Sequence, residues 1–107
     1  LITKEHAPVA VYNATGTSGL AGSESSLLKS YGYNVTTVKS APNATNPAND
    51  TLVDLSHGSA KYTAHYLEGR LGVTSVSKLP ADYGITPPQG TKFVIILGNN
   101  AANDVSQ

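Results

Sequence analysis

The sequence predicts an α+β two-layer sandwich in the order β-α-β-β-α-β, with both helices on one face of a four-stranded sheet. Three observations carry this. Two segments space their apolar residues at helical intervals, the segments between them are β-branched or alternating, and a glycine-rich turn stands where the first strand hands over to a helix.

Residues 1–8, "LITKEHAP", lack periodicity and end in proline, so they read as a linker or disordered start. "VAVYN" (9–13) puts Val9 and Val11 on one face of the first strand. From Leu20 to Tyr31 the apolar residues Leu20, Ala21, Leu27, Leu28 and Tyr31 gather on one side of a helix. Thr17 or Ser18 is the expected N-cap and Gly32 the expected stop. Burial of the three leucines is expected to contribute roughly 1.5–3 kcal/mol each.

"YNVTTVKS" (33–40) is the second strand, "APNATNPAND" (41–50) a polar loop, and "TLVDLS" (51–56) the third strand. "HGS" opens the second helix, whose stripe is Ala60, Ala64, Leu67 and Leu71; Ser56 or Ser59 is the expected cap, and Gly72 ends it. "VTSVSKL" (73–79) has the alternation of an extra short edge strand, and "PADYGITPPQGT" (80–91) is a loop. "KFVIILG" (92–98) is apolar on both faces and belongs in a sheet interior. The domain is expected to span 9–100, with 101–107 a polar tail. Right-handed crossovers and a ferredoxin-like strand order would follow from this element order, but that order puts the most apolar strand at an edge, so either "VTSVSKL" covers that strand or the strand order differs.

Composition narrows the function classes. Seven basic and seven acidic side chains cancel without clustering, so no basic face offers itself to a nucleic-acid backbone. A charged content of 13% is low, and Ser, Thr and Asn serve as the solvated residues, which suits an exported protein. There are no cysteines, hence no disulfides and no thiolate metal site. The longest apolar run, "FVIIL", is too short to cross a bilayer. Beginning at Leu1 and lacking Met, the chain is expected to be a mature fragment or an excised domain. Asn13, Asn34, Asn43 and Asn49 each open an N-x-[ST] triplet, which so Thr- and Asn-rich a chain produces by chance.

The turn "NATGTSGLAG" (13–22) resembles a phosphate-binding loop at the start of a helix. Its glycines, Gly16, Gly19 and Gly22, run G-x-x-G-x-x-G rather than G-x-G-x-x-G, no Walker lysine follows, and Lys39 and Ser40 stand where an acidic ribose partner belongs. The preferred reading is structural: Gly16 takes a positive φ, while Gly19 and Gly22 allow close helix–sheet approach.

Enzymatic signals are weak. His57 and His65 share a helical face only if the second helix starts early, and His65 with Glu68 is a two-ligand set at best; a solvated helix face is the plainer reading. No nucleophile elbow and no pair of facing carboxylates is evident. Tyr62 and Tyr66, one turn apart, form either an exposed platform for sugar rings or, as preferred, packing against the loop at 80–90. No catalytic residue, metal or cofactor is expected.

"VAVYNATGTSGLAGSESSLLKSYGYNV" resembles the opening of the C-terminal domain of LytR–CpsA–Psr proteins, through Val11, Asn13, Thr15, Gly16, Gly19, Leu20, Ala21, Gly32, Tyr33 and Val35. "TLVDLS", "AHYLEGRL" and "VIILGNN" continue the resemblance to about residue 100. Two departures stand out: Ala14 follows the asparagine where the family usually has glycine, and Asn100 replaces a closing aspartate. The resemblance implies an extracytoplasmic domain of a bacterial envelope protein, historically described as a transcriptional attenuator. The parent would be membrane-anchored, and its companion catalytic domain would transfer lipid-linked glycopolymers to peptidoglycan. This domain is then a non-catalytic accessory that binds cell-wall polymer, of peptidoglycan or teichoic-acid type, or positions the catalytic domain. A protein-interaction module is the alternative, and a phosphate- or nucleotide-binding domain a more distant one. The surface expected to bind is the first turn with the adjacent end of the last strand: Asn13, Thr15, Gly16, Thr17, Ser18, Asn99 and Asn100.

Overall fold

The computed structural model describes residues 1–101. The chain runs α1 (Ile2–Glu5), β1 (Pro8–Asn13), α2 (Leu20–Ser30), β2 (Asn34–Ser40), β3 (Thr51–Asp54), α3 (Lys61–Leu71) and β4 (Phe93–Leu97), with a 3-10 turn at Ala81–Tyr83. The strands form one mixed sheet in the order β2-β1-β4-β3. β1 is parallel to both β2 and β4, and β3 is antiparallel to β4.

The expected class stands, but the ferredoxin-like order does not. β4 is central because all five of its residues are apolar and buried, and only an interior strand has both faces and both edges covered. Phe93, Ile95 and Leu97 face Val9, Val11 and Leu52 on the helix side, joined by Leu28, Leu67 and Leu71 of the two long helices. Val94 and Ile96 face the other way with Ala10, Tyr12 and Val53, and loop residues Ala41 and Ile85 cover them. One face therefore carries the helices and the other carries loops. The β3-α3-β4 unit is not a parallel crossover either: the long return after α3 brings β4 back antiparallel to β3, with Phe93 beside Asp54. "VTSVSKL" contributes a single bridge, Val76 to Val53, at the outer edge of β3 rather than a strand beside β4.

The helix boundaries have local causes. α2 ends in a Schellman motif: Tyr33 N–H donates to Leu28 C=O at 3.1 Å and Gly32 N–H to Lys29 C=O at 3.0 Å, with Gly32 at φ 98°. Its N-cap is Gly19 at φ 87°, not Thr17 or Ser18, and no side chain caps it. Gly19 is thus the turn's positive-φ residue, the role expected of Gly16. The expected close approach at Gly19 and Gly22 is also absent, since an added Cβ would meet nothing within 4 Å at either. The buried face of α2 is Ala21, Glu24, Ser25 and Leu28, so only Leu28 of the three leucines is fully buried. β3 stops at Asp54, whose Oδ1 accepts from Ser56 N–H at 2.8 Å and Ser56 Oγ at 2.6 Å. His57 and Gly58 then adopt left-handed conformations, which delays α3 to Lys61.

Residues 1–8 are not a loose linker. α1 docks against α3, Ile2 packs on the core and Ala7 is buried. Neither Ser56 nor Ser59 caps α3; Glu5 does, accepting from Tyr62 N–H at 3.0 Å and Thr63 N–H at 2.7 Å. Of the expected polar tail, Ala101 is buried in the core, and 102–107 lie outside the described residues.

Candidate functional site

The β1–α2 turn is built by a side chain imitating backbone. Asn13, the last residue of β1, accepts at Oδ1 from Thr15 N–H at 2.9 Å and Thr15 Oγ1 at 2.6 Å, and its Nδ2 donates to Thr17 C=O at 2.8 Å. Thr17 N–H donates to Thr15 Oγ1 at 3.1 Å. This Asx-type arrangement occupies Asn13 and Thr15, both buried, in holding the turn. Gly16 N–H donates to Asn46 Oδ1 at 2.7 Å, which ties the turn to the loop at 41–50.

Asn99 and Asn100 hold the other end of that loop. Asn99 N–H donates to Pro47 C=O at 2.7 Å, and Asn99 Nδ2 to Asn46 C=O at 3.3 Å. Asn100 Oδ1 accepts from Asp50 N–H at 3.0 Å. Asn46 therefore joins the two halves of the expected surface, but most of their polar groups serve the scaffold. Asn100, standing where the related pattern has aspartate, supplies an acceptor oxygen as a carboxylate would.

What remains open lies toward β2. Asn13, Ser18, Gly19, Gly22, Lys39 and Ser40 line a cavity of about 220 Å³ between the C-terminal ends of β1 and β2 and the start of α2. Ser18, Lys39 and Ser40 are exposed. The first turn of α2 has no side-chain cap, so its N–H groups are left for water or a ligand, with the positive end of the helix dipole behind them. Of the expected residues, Asn13 and Ser18 reach this cavity, whereas Thr15, Gly16, Thr17, Asn99 and Asn100 are not among its lining residues. Lys39 and Ser40, which are not among the expected residues, also line it, because the parallel pairing of Tyr12 with Lys39 and Asn13 with Ser40 brings them there.

The tyrosines divide. Tyr12 and Tyr33 are buried, but Tyr62 and Tyr66 are 56% and 52% exposed. The loop at 80–90 packs through Tyr83 and Ile85 on the sheet face opposite α3, so the preferred partial packing of the two tyrosines against it does not occur. Tyr31 is 44% exposed, and the Arg70 guanidinium lies 3.7 Å from its ring centroid.

Among the described residues, no group of three or more His, Cys, Asp or Glu side chains could hold a metal ion, and no helix is long and apolar enough to cross a membrane. His65 packs edge-on against Tyr66, and Glu68 accepts from Ser75 N–H at 2.8 Å, so that pair is engaged elsewhere. The hydrogen bonds from Ser75 hold the Glu68 carboxyl below its usual range.

One acid has no such partner. Glu24 is fully buried on the inner face of α2, and neither of its oxygens is hydrogen-bonded among the described residues. Burial pushes it up to about 7, the Asp50 charge adds to this, and Arg70 opposes it. Asp50 is buried too; its Oδ1 accepts from Gly98 N–H at 2.8 Å, while Oδ2 is unpartnered.

A family model described as LytR cell envelope-related transcriptional attenuator matches residues 6–100. No curated protein and no solved structure matches the chain.

Proposed function

We propose, because this chain belongs to the LytR cell envelope-related transcriptional attenuator family, that it is a non-catalytic accessory domain that binds cell-wall glycopolymer outside the cytoplasmic membrane. The observation carrying this reading is the uncapped first turn of α2, opening into a cavity bordered by Ser18, Ser40 and Lys39. Hydroxyls and free N–H groups suit the hydroxyl-rich surface of a sugar chain, and a lone lysine beside a helix N-terminus favours an anionic substituent on it. The same cavity lacks the lysine–glycine cradle of a nucleotide site, which argues for a polymer over a nucleoside phosphate.

The test is a titration of the isotopically labelled domain with peptidoglycan and teichoic-acid fragments, followed by amide shifts. Saturable shifts at Ser18, Gly19, Lys39 and Ser40 are expected. A titration that moves none of them, and instead yields a complex only with the companion catalytic domain, replaces this reading with one of protein positioning.

A further inference from the structure

We infer that a second surface, where Tyr31, Tyr66 and Arg70 meet, binds a carboxylated saccharide. Tyr31 caps the C-terminal end of α2, and Arg70 and Tyr66 lie on α3. Together with Ile2, Thr3 and Tyr33 they line a cavity of about 300 Å³, at the lower end of the ~300–1,000 Å³ of small-molecule sites. A wider depression of about 500 Å³ over Lys61, Tyr62, His65 and Tyr66 shares Tyr66 with it. The two form one strip carrying three half-exposed aromatic rings.

The chemistry of the strip selects the ligand. Tyrosine rings stack on the C–H faces of pyranoses while their hydroxyls bond to sugar hydroxyls. Arg70 lies against the Tyr31 ring and makes no salt bridge among the described residues; its Nε is buried without a partner. Two carboxylates on or beside α3 are engaged elsewhere, Glu5 at the Tyr62 and Thr63 N–H groups and Glu68 at Ser75. The buried Glu24 feels the Arg70 charge but makes no hydrogen bond to it. Arg70 and Lys61 therefore offer hydrogen-bonding positive charge that Glu5, Glu68 and Glu24 do not bind, and a guanidinium is well shaped for a carboxylate. A polynucleotide would need a denser basic face than a chain of net charge zero presents.

This surface is distinct from the cavity at the start of α2. It lies at the other end of that 11-residue helix, about 16 Å away by helical rise. The proposal shares with the functional reading only the class of ligand, and it stands on different residues.

N-Acetylmuramic acid and N-acetylglucosamine differ by a lactyl carboxylate, so titrating the labelled domain with each isolates the charge. Saturable amide shifts at Tyr31, Tyr66 and Arg70, with binding roughly fivefold tighter for the acid, are expected. Arg70→Gln should bring that ratio near one, and Tyr66→Ala, at a half-exposed position, should abolish the shifts while leaving the rest of the spectrum intact. Equal affinity for both sugars, a ratio that survives Arg70→Gln, or no shift at these three residues overturns the proposal. Shifts confined to Ser18, Lys39 and Ser40 overturn it while supporting the functional reading, so the two fail separately.

Discussion

Glu5 and Thr63, 58 positions apart in sequence, are joined by two hydrogen bonds: the Glu5 carboxylate accepts from Thr63 N–H at 2.7 Å and from Thr63 Oγ1 at 2.6 Å. With the bond from Tyr62 N–H, Glu5 does for α3 what a local N-cap side chain would do, and it fixes α1 to the domain.

Glu5→Ala is therefore expected to cost about 1 kcal/mol, read as a lower urea midpoint with an unchanged slope. Burial alone would raise the Glu5 pKa, but the bonds from Thr63 and Tyr62 outweigh it and leave the carboxyl below its ordinary value of 4.5. A depressed acid stabilises the fold above the unfolded-state value and stops doing so as pH falls through the folded one. The variant should therefore lose part of the wild-type drop in stability below about pH 4.5. A midpoint equal to wild type at neutral pH would mean that Glu5 rests on α3 without stabilising it.

Gly98→Ala and Gly22→Ala should move stability in opposite directions. A Cβ at Gly98 would sit 2.8 Å from the Pro47 carbonyl oxygen and closer still to the Asn49 backbone, in a loop that Asn99 and Asn100 already hold. The expected cost is about 1–3 kcal/mol or more. Gly22 lies inside α2 with nothing near its Cβ position, so alanine there should add roughly 0.5–1 kcal/mol through helix propensity. Thermal denaturation of the two variants beside wild type decides both.

Asn13 and Ser18 should separate scaffold from surface. Asn13→Ala strands the buried Thr15 N–H and hydroxyl, at a cost of about 1–3 kcal/mol. Ser18→Ala removes an exposed hydroxyl and should leave stability within about 0.5 kcal/mol while weakening glycopolymer binding. If Ser18→Ala binds as wild type does, Ser18 is no part of the proposed glycopolymer site.

What could be read from the residues was local. Gly32 and Gly72 ended their helices where the pattern placed them, and the unbroken apolar run at 93–97 pointed to a central strand before the order was known. What could not be read was non-local or polar. The cap of α3 comes from Glu5, beyond any sequence window. The inner face of α2 contains Glu24 and Ser25, so counting apolar residues rotated the helix toward Leu20 and Leu27. The amide-rich turn looked like a binding surface because asparagines that hold a turn and asparagines that hold a ligand are the same residue type. Only hydrogen-bond partners separate Asn13, spent on Thr15, from the exposed Ser18 beside Lys39 and Ser40.

Glu24 supplies the neutral-range pH dependence. Its folded carboxyl stands at about 7 against an ordinary 4.5, with Asp50 raising and Arg70 lowering it. Below 4.5 both folded and unfolded chains hold the proton, so no difference accrues there. Between 4.5 and 7 the folded state keeps a proton that the unfolded state releases, so stability falls as pH rises and levels off above 7. The shift corresponds to a loss on the order of 3 kcal/mol across that window. Together with the opposite trend of Glu5 and Glu68 at lower pH, this puts maximum stability in mild acid. Glu24→Gln keeps the shape and removes the charge, so it should match wild type near pH 4.5, exceed it by roughly 2–3 kcal/mol at pH 8, and show a flat profile between. Melting temperatures of both proteins across that range test this. Parallel profiles for the two would assign the slope to other groups and leave Glu24 charged and solvated in a way its burial does not allow.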